Sequence, residues 1–282
     1  MTKTLDHTDA QCPRHGKSRG KRPRISFSHI LGELLLTIGV LALLFAFYEA
    51  YWTNLEAGQK QEVAGTELDE RWNQQRANPR QQLNPELGEA FARLYIPSFG
   101  SDFNFAVVEG TSEEDLLAGP GRYVNSQMPG EAGNFAVAGH RVGKGAPFND
   151  LGNLNVCDAI VIETYDSWDV YRVMPMSTDA QSRQAEAAPC FNEAQVQRMS
   201  SGDYAYVQGR MITTPDHIEV TYPNPGIAET TDTTVAPDAE SLITLTTCHP
   251  QFSNAQRMIV HGMLVEEIPK TEGSTPAVLE SN

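Results

Sequence analysis

The cysteine at position 248 ends a predicted β-strand. Residues 242–247 read LITLTT, and these apolar and β-branched side chains predict a strand that Pro250 terminates. A thiol at a strand end is held rigidly, while the loop beyond it leaves room for a substrate. A lone cysteine often only fills space in a core. The position of Cys248 favours a nucleophile instead.

A base and a cation occupy similar positions elsewhere in the chain. Residues 133–139 read GNFAVAG, a pattern that predicts an apolar strand leading to His140, and Arg257 opens a third predicted strand nine positions after the cysteine. Taken singly, a histidine is more often an ordinary polar residue and an arginine a surface charge. Three strands that each deliver one such side chain at an end predict a single site for nucleophilic catalysis.

The motifs around these residues closely resemble those of the sortases, surface transpeptidases of Gram-positive bacteria. They are TLTTC at 244–248, HP at 249–250, Arg257, and NFAVAGHR at 134–141. The sequence CHP after the strand and LYIP at 94–97 resemble class E, the housekeeping group of actinobacteria. The resemblance covers about residues 92–266, and its motifs occur in the order of the family.

The resemblance implies a role for each member of the trio. Cys248 would attack the carbonyl of a sorting signal and form a thioacyl-enzyme. His140 would protonate the leaving amine and later deprotonate the incoming one. Arg257 would hold the substrate and stabilise the oxyanion through its planar donors. No cofactor is implied.

Three further residues are candidates for substrate binding. A tyrosine at the position of Tyr95 is associated in class E with a preference for Leu-Ala-x-Thr-Gly over Leu-Pro-x-Thr-Gly signals, although a half-buried strand aromatic would look the same. Thr246 and Thr247 are expected to line the groove beside the thiol. Ordinary β-propensity would also account for both threonines.

The function expected from this resemblance is attachment of surface proteins to the cell wall. The enzyme would cleave between Thr and Gly of a sorting signal and pass the acyl group to an amine of a peptidoglycan precursor. Three alternatives remain: pilin polymerisation on a pilin lysine, simple hydrolysis, and a non-catalytic, membrane-tethered binding module. Pilin-building class C enzymes usually add a lid and a second membrane segment, and the polar C-terminal tail argues against that.

Charge and hydropathy predict one membrane anchor near the N-terminus. Residues 1–29 hold seven lysines and arginines against two aspartates, whereas the whole chain carries −15. An apolar run of 19 residues follows at 30–48, with aromatic residues at its far end. The positive-inside rule places the arm in the cytoplasm and the catalytic part outside. The basic arm is then expected to contact anionic lipid rather than nucleic acid. A cleaved signal peptide is the alternative.

The remaining pattern predicts a mainly β domain. Many short strands with few helices favour a closed or nearly closed antiparallel barrel, in agreement with the eight-stranded sortase β-barrel with short helices that the resemblance implies. One of these strands is predicted at 217–222. The predicted divisions are a basic arm at 1–29, a transmembrane helix at 30–52, a polar stalk at 53–90, a catalytic domain at 91–267 with an insertion at 175–210, and a disordered tail at 268–282.

Of the four cysteines, three lie beyond the apolar run: Cys157, Cys190 and Cys248. Three is an odd number, so at least one thiol stays free. A bond between Cys157 and Cys190 is left open, because sequence does not show whether their Cα atoms come within reach.

Overall fold

The computed structural model describes residues 26–77, 84–225, 234–271 and 273–280. The predicted basic arm lies outside the described residues except for 26–29, and Cys12 lies outside them too. The chain divides into two compact units, Met1–Ala46 and Phe47–Asn282.

An apolar helix, α1 (Phe27–Phe47), dominates the first unit. Its 21 residues are all exposed, and at 1.5 Å per residue it is about 32 Å long, enough to cross the hydrocarbon core of a bilayer. It is the one helix in the described residues with that length and composition, and a signal sequence has the same features. A π-helical turn, Tyr48–Trp52, follows it.

A polar helix, α2 (Thr53–Ala77), lies against the barrel domain. Its buried residues are Ala57, Ala64, Leu68 and Trp72, and their spacing puts them on one side of the helix. This side packs on the first two strands and a short helix of the domain. Over residues 53–77, the segment predicted as a stalk is therefore a helix with one face packed on the domain.

Eight strands close into a barrel, as predicted. The part of the chain that the structure describes has nine strands, eight of them in the ring: β1 (Ala90–Tyr95), β2 (Asn104–Glu109), β3 (Gly121–Arg122), β4 (Gly133–Ala138), β5 (Ala159–Glu163), β6 (Ser167–Val173), β7 (Arg210–Thr213), β8 (Ser241–His249) and β9 (Gln256–Pro269). Their order is β6-β5-β1-β2-β3-β4-β8-β9, and pairing of β6 with β9 completes the ring. Strand β7 joins the outer side of β9.

The barrel is mixed rather than antiparallel, which corrects the prediction. Strands β2 and β3 are parallel, and so are β4 and β8. Parallel neighbours need a long crossover connection, and about a hundred residues separate β4 from β8. As a consequence β4 and β8 end at the same edge of the barrel.

Within the described residues, four short α-helices complete the domain: α3 (Glu113–Ala118), α4 (Ala180–Ala187), α5 (Glu193–Ser201) and α6 (Ala277–Glu280). The predicted strand at 217–222 is wrong, because Ile218–Thr221 is a 3₁₀ helix. The side-chain amide of Asn134 donates to the carbonyls of Val220 and Tyr222. A buried side chain therefore satisfies backbone groups that a neighbouring strand would otherwise bind.

Residues 175–210, which were predicted as an insertion, form a small helical layer of their own. Helices α4 and α5 pack their apolar residues on Leu242 and Met263 of the barrel. The buried guanidinium of Arg183 donates to the five carbonyls of Pro175, Ser177, Met199, Tyr204 and Val207. A disulfide joins Cys157 to Cys190 across a Cα separation of 5.8 Å, so the pairing that the sequence left open is present. Among the described cysteines only Cys248 is free.

The tail departs from the predicted disorder. Strand β9 continues to Pro269, and α6 brings Val278 and Leu279 against the cluster of outer apolar side chains around Trp168. Two apolar residues in a polar tail are enough to cover this surface. The prediction of disorder is therefore wrong for residues 268–271 and 273–280.

A buried acid at the side of the barrel gives a stability prediction. Asp169 is fully buried, and burial raises the pKa of its carboxyl from 3.8 to about 6. The native state then binds a proton more readily than the unfolded chain between these two values, so the contribution of Asp169 to stability falls as pH rises through this window. At pH 7 the ionised, buried carboxylate costs about 3 kcal/mol.

We expect Asp169→Asn to stabilise the domain at pH 7.5 by about 2–3 kcal/mol, with the gain shrinking below pH 5. Urea unfolding of residues 53–282 at both pH values measures it. Glu266→Gln is the matched control, since Glu266 is an exposed acid on the same strand and is the cross-strand partner of Val170 rather than of Asp169. A gain that is equal at the two pH values would contradict the prediction.

Candidate active site

The parallel pair of β4 and β8 brings His140 beside Cys248. Ala138 is in register with Thr246. The pairing continues past the end of β4, because the Gly139 amide donates to the Thr246 carbonyl at 3.0 Å. Two positions beyond the Ala138 pair, His140 and Cys248 are therefore side by side at one edge of the barrel.

The antiparallel hairpin of β8 and β9 brings Arg257 to the other side of the thiol. Cys248 and Arg257 are direct register partners. Side chains on directly opposed residues have Cβ atoms about 4.5–5.5 Å apart. The hairpin therefore places the side chain of Arg257 beside that of Cys248.

All three side chains are on the outer face of the barrel. Val137, Leu245 and Met258 belong to the inner core. Successive strand residues point to opposite faces, so the residues at odd spacing from these, namely His140, Cys248 and Arg257, point outward together. The structure thus assembles the predicted trio from three neighbouring strands.

The thiol of Cys248 is partly exposed. In this structure it donates to the side-chain oxygen of Asn254 at 3.6 Å. Asn254 lies in the loop between β8 and β9 and was not predicted. Partial exposure with a single weak hydrogen bond leaves the sulfur accessible to a carbonyl carbon.

The imidazole of His140 is mostly buried, and its Nε2 has no hydrogen-bond partner among the described residues. Burial lowers the pKa of His140 below 6.5; the Lys144 ammonium lowers this pKa further, and the Glu113 carboxylate opposes the effect. A neutral imidazole can accept a proton, so these surroundings suit a general base at neutral pH.

The guanidinium of Arg257 is held by its own hairpin. It donates to the carbonyls of Gln256 at 3.0 Å and of Asn254 at 3.4 Å. Two hydrogen bonds from one nitrogen leave the other donors of the fork available. These donors can bind a carbonyl oxygen that gains negative charge.

A groove of about 870 Å³ runs along the outer face of β8 and β9. Thr246, Arg257 and Ile259 line its floor, and residues 123–126 and 213–223 form its walls. Its volume is within the range of about 300–1,000 Å³ that is usual for ligand sites. A segment of extended peptide would fit there with one end beside Arg257.

The two predicted threonines have different surroundings. Thr246 lines the groove, and its hydroxyl is 3.0 Å from that of Tyr123. The hydroxyl of Thr247 donates to the Gly139 carbonyl at 2.8 Å and is buried on the other face of β8. Thr247 therefore ties the end of β4 to β8, next to His140, and lies beneath the groove rather than in it.

Tyr95 lies away from the other candidates. Its side chain is on the outer face of β1, where the hydroxyl donates to Glu163 Oε2 at 2.7 Å and the ring packs on Trp168. In the strand order β2 and β3 separate β1 from β4. Tyr95 does not line the groove beside Arg257.

Besides Asn254, two residues of the site were not predicted from sequence. Arg141 donates to Nδ1 of His249 at 2.6 Å and to the Cys248 carbonyl at 3.4 Å. It therefore links the residue after His140 to the end of β8 that carries the thiol. Its position directly after His140 was the available signal. Tyr123 had none, because it follows β3 directly and reaches the groove only through the pairing of β3 with β4.

A closed barrel that presents a thiol, an imidazole and a guanidinium side by side, with Arg257 lining a peptide-sized groove, has an arrangement that suits thiol-dependent acyl transfer. Residues 94–265 match the Sortase domain family. The chain belongs to the sortase family, which confirms the resemblance seen in its motifs.

The chain is similar to several sortases along most of its length. The chain is 61% identical to the solved SrtF sortase from Corynebacterium diphtheriae, with a TM-score of 0.69 over 73% of this chain and 98% of that chain. It is 30% identical to Sortase SrtE1 of Streptomyces coelicolor over 94% of this chain, and 34% identical to Sortase SrtE2 of the same organism over 56% of it. The chain spans 65% of SrtE1 and 66% of SrtE2.

Proposed function

We propose that this chain is a membrane-anchored cysteine transpeptidase that cleaves the Thr-Gly bond of a C-terminal sorting signal. The placement of Cys248 between His140 and Arg257, on neighbouring strands and at the end of a peptide-sized groove, carries the proposal. The sequence motifs and the family membership support it.

The first half of the reaction forms a thioester. His140 takes the proton of the Cys248 thiol, and the thiolate attacks the carbonyl carbon of the signal's threonine. Arg257 donates hydrogen bonds to the resulting oxyanion. Collapse of this intermediate breaks the Thr-Gly bond, and the proton on His140 passes to the departing glycine nitrogen.

The second half transfers the acyl group. An amine enters, His140 removes its proton, and the nitrogen attacks the thioester carbonyl. A new amide forms and the Cys248 thiol is restored when the proton returns to sulfur. With water instead of an amine, the same steps give hydrolysis.

The proposed transpeptidase reaction implies an acyl donor, an acceptor amine and a membrane. The donors are surface proteins with LAxTG or LPxTG signals, and the acceptor is an amine of a peptidoglycan precursor. Helix α1 would be the anchor, with the N-terminal arm in the cytoplasm against anionic lipid and the catalytic domain outside.

Incubation of the chain with LAxTG and LPxTG peptides plus a small amine tests the proposal. Mass spectrometry should detect a threonine–amine product and a thioacyl adduct on Cys248, and we expect the alanine peptide to react faster. If neither peptide gives an adduct, the proposed substrate class is wrong, and a non-catalytic binding module becomes the better explanation.

Replacing Arg257 by lysine should lower kcat/KM about a hundredfold, with stability unchanged. Lysine keeps the charge but loses the planar fork that binds a developing oxyanion. Steady-state kinetics with the preferred peptide measure the loss. Arg210→Lys is the matched control, because Arg210 starts β7 and donates to the carbonyls of Gly152 and Leu154, away from the thiol. A loss under threefold for Arg257→Lys would contradict the assigned role.

A role for Tyr95 in signal choice is open to a direct test. If Tyr95 selects alanine at the second signal position, Tyr95→Leu reduces or reverses the preference for the LAxTG peptide over the LPxTG peptide, measured as the ratio of their kcat/KM values. If the ratio stays the same while the melting temperature falls, Tyr95 acts only through its contacts with Glu163 and Trp168.

A further inference from the structure

The loop that follows His140 has an unusual backbone. Four consecutive residues, Gly143, Lys144, Gly145 and Ala146, have positive φ angles of 61°, 51°, 78° and 40°. Lysine and alanine rarely adopt this region, which costs on the order of 1–3 kcal/mol per residue. Such a conformation persists only where its surroundings hold it.

The C-terminal end of this loop is fixed inside the barrel. The Phe148 amide donates to the His140 carbonyl at 3.0 Å, and the Phe148 ring is fully buried in the core. A Cβ on Gly139 would be 2.6 Å from this ring, so the ring packs directly on the residue before the histidine. The end of β4 and Phe148 therefore fix both ends of the loop.

The tip of the loop is held by two other elements. The Lys144 ammonium is 2.6 Å from the Glu113 carboxylate at the start of α3. The Gly145 amide donates to Asn54 Oδ1 at 3.0 Å, and the buried Ala57 packs against Gly145. Asn54 and Ala57 belong to the first turns of α2, which starts six residues after α1 ends.

We propose that the start of α2 is a positioning element for His140: Asn54 and Ala57 seat the loop 143–146 and thereby keep the imidazole beside Cys248. The segment between the apolar helix and the barrel is then part of the support of the active site. This inference rests on the proposed function for the identity of the reaction, but the seating of the loop can be tested without a sorting signal.

The hydrogen bond from Gly145 to Asn54 is suited to orienting the loop and contributes little to the stability of the fold. Asn54 and Gly145 are largely exposed, and an exposed hydrogen bond contributes little to global stability. The orientation of a catalytic base, however, affects rate steeply. Loss of the contact between Asn54 and Gly145 should therefore lower kcat clearly while the melting temperature changes little.

The charges around His140 supply a second readout. The charged groups that act on it are Lys144 in its own loop and Glu113 of α3, and Cys248 of β8 lies beside it. If the loop leaves its seat, Lys144 moves away and the imidazole gains solvent. Both changes raise its pKa toward 6.5, so the acid limb of a pH–rate profile moves to higher pH.

The test uses the full chain in detergent with Cys12→Ser as background, so that Cys248 is the one free thiol. Asn54→Leu removes the acceptor and should lower kcat for the preferred peptide about tenfold with KM within about twofold. Asn54→Asp keeps an acceptor oxygen and should restore kcat. Gly58→Ala is the matched control on the same turn, because a Cβ there meets nothing within 4 Å.

Alkylation of Cys248 by iodoacetamide across pH provides the readout that needs no signal peptide. For Asn54→Leu we expect alkylation near neutral pH to slow severalfold, because a displaced imidazole no longer takes the thiol proton, while Gly58→Ala leaves the rate in place. If wild type fails to turn over any peptide but the slower alkylation is seen, the positioning role stands and the proposed substrate class falls. An unchanged alkylation rate in Asn54→Leu overturns the positioning role, whatever happens to kcat or stability.

Discussion

Cys248→Ala should remove all turnover of a sorting-signal peptide, by hydrolysis and by transfer, a loss of at least about ten-thousandfold in kcat/KM. Alanine cannot form the thioester through which both half-reactions pass. Water is a much weaker nucleophile than a thiolate and does not take over its role. Mass spectrometry after incubation with peptide and amine should show neither product nor protein adduct.

The fold should survive this change. The side chain of Cys248 is partly exposed, and its one hydrogen bond goes to Asn254, so the melting temperature should stay within about 2 °C of wild type. Asn254→Ala is a useful companion variant. It removes the partner of the thiol but leaves the nucleophile, and a loss below about tenfold is expected. Turnover above one per cent of wild type in Cys248→Ala would mean that another residue is the nucleophile.

The trio was predictable because each member stands at the end of a strand with a strong local pattern. Strand ends could be read from apolar runs that stop at Gly139 or Pro250. The sequence did not show that β4 and β8 are parallel neighbours, since that pairing joins segments about a hundred residues apart. The family resemblance supplied this long-range information.

The face of a strand is harder to predict than its end. Thr246 and Thr247 are adjacent and chemically identical, yet one lines the groove and the other bonds to Gly139 beneath it. Strand alternation assigns the two threonines to opposite faces of β8. It shows which of them lines the groove only after the face toward the core is known. For Tyr95 the alternation that buries Leu94 places the tyrosine on the outer face, toward Trp168.

Helix α2 shows how composition can hide packing. Residues 53–77 are mostly polar, and this composition suggested a spacer. The four buried residues recur at intervals of seven, four and four, a pattern with one apolar side. Two of them are alanines, which contribute little to a hydropathy profile. The contact of this helix with the loop after His140 could not be seen without the fold.

Removal of α2 should unfold the domain. A chain of residues 91–282, which begins at the predicted boundary of the catalytic domain, exposes the surface on β1 and β2 that Leu68 and Trp72 cover. Burial of these side chains contributes on the order of 5 kcal/mol, comparable to the whole stability of many domains. We expect a cooperative thermal transition for residues 53–282 and none for residues 91–282.

Single substitutions locate the effect within the helix. Trp72 is buried and lies under two cations, with the Arg93 guanidinium 5.2 Å and the Lys270 ammonium 3.9 Å from its ring centroid. Trp72→Ala should therefore destabilise residues 53–282 by about 3–5 kcal/mol. Val63→Ala, on the exposed side of the same helix, should change stability by less than about 0.5 kcal/mol. Because α2 also seats the loop after His140, a cooperative fold for residues 91–282 would separate the two roles: the helix would then serve the active site without holding the barrel together.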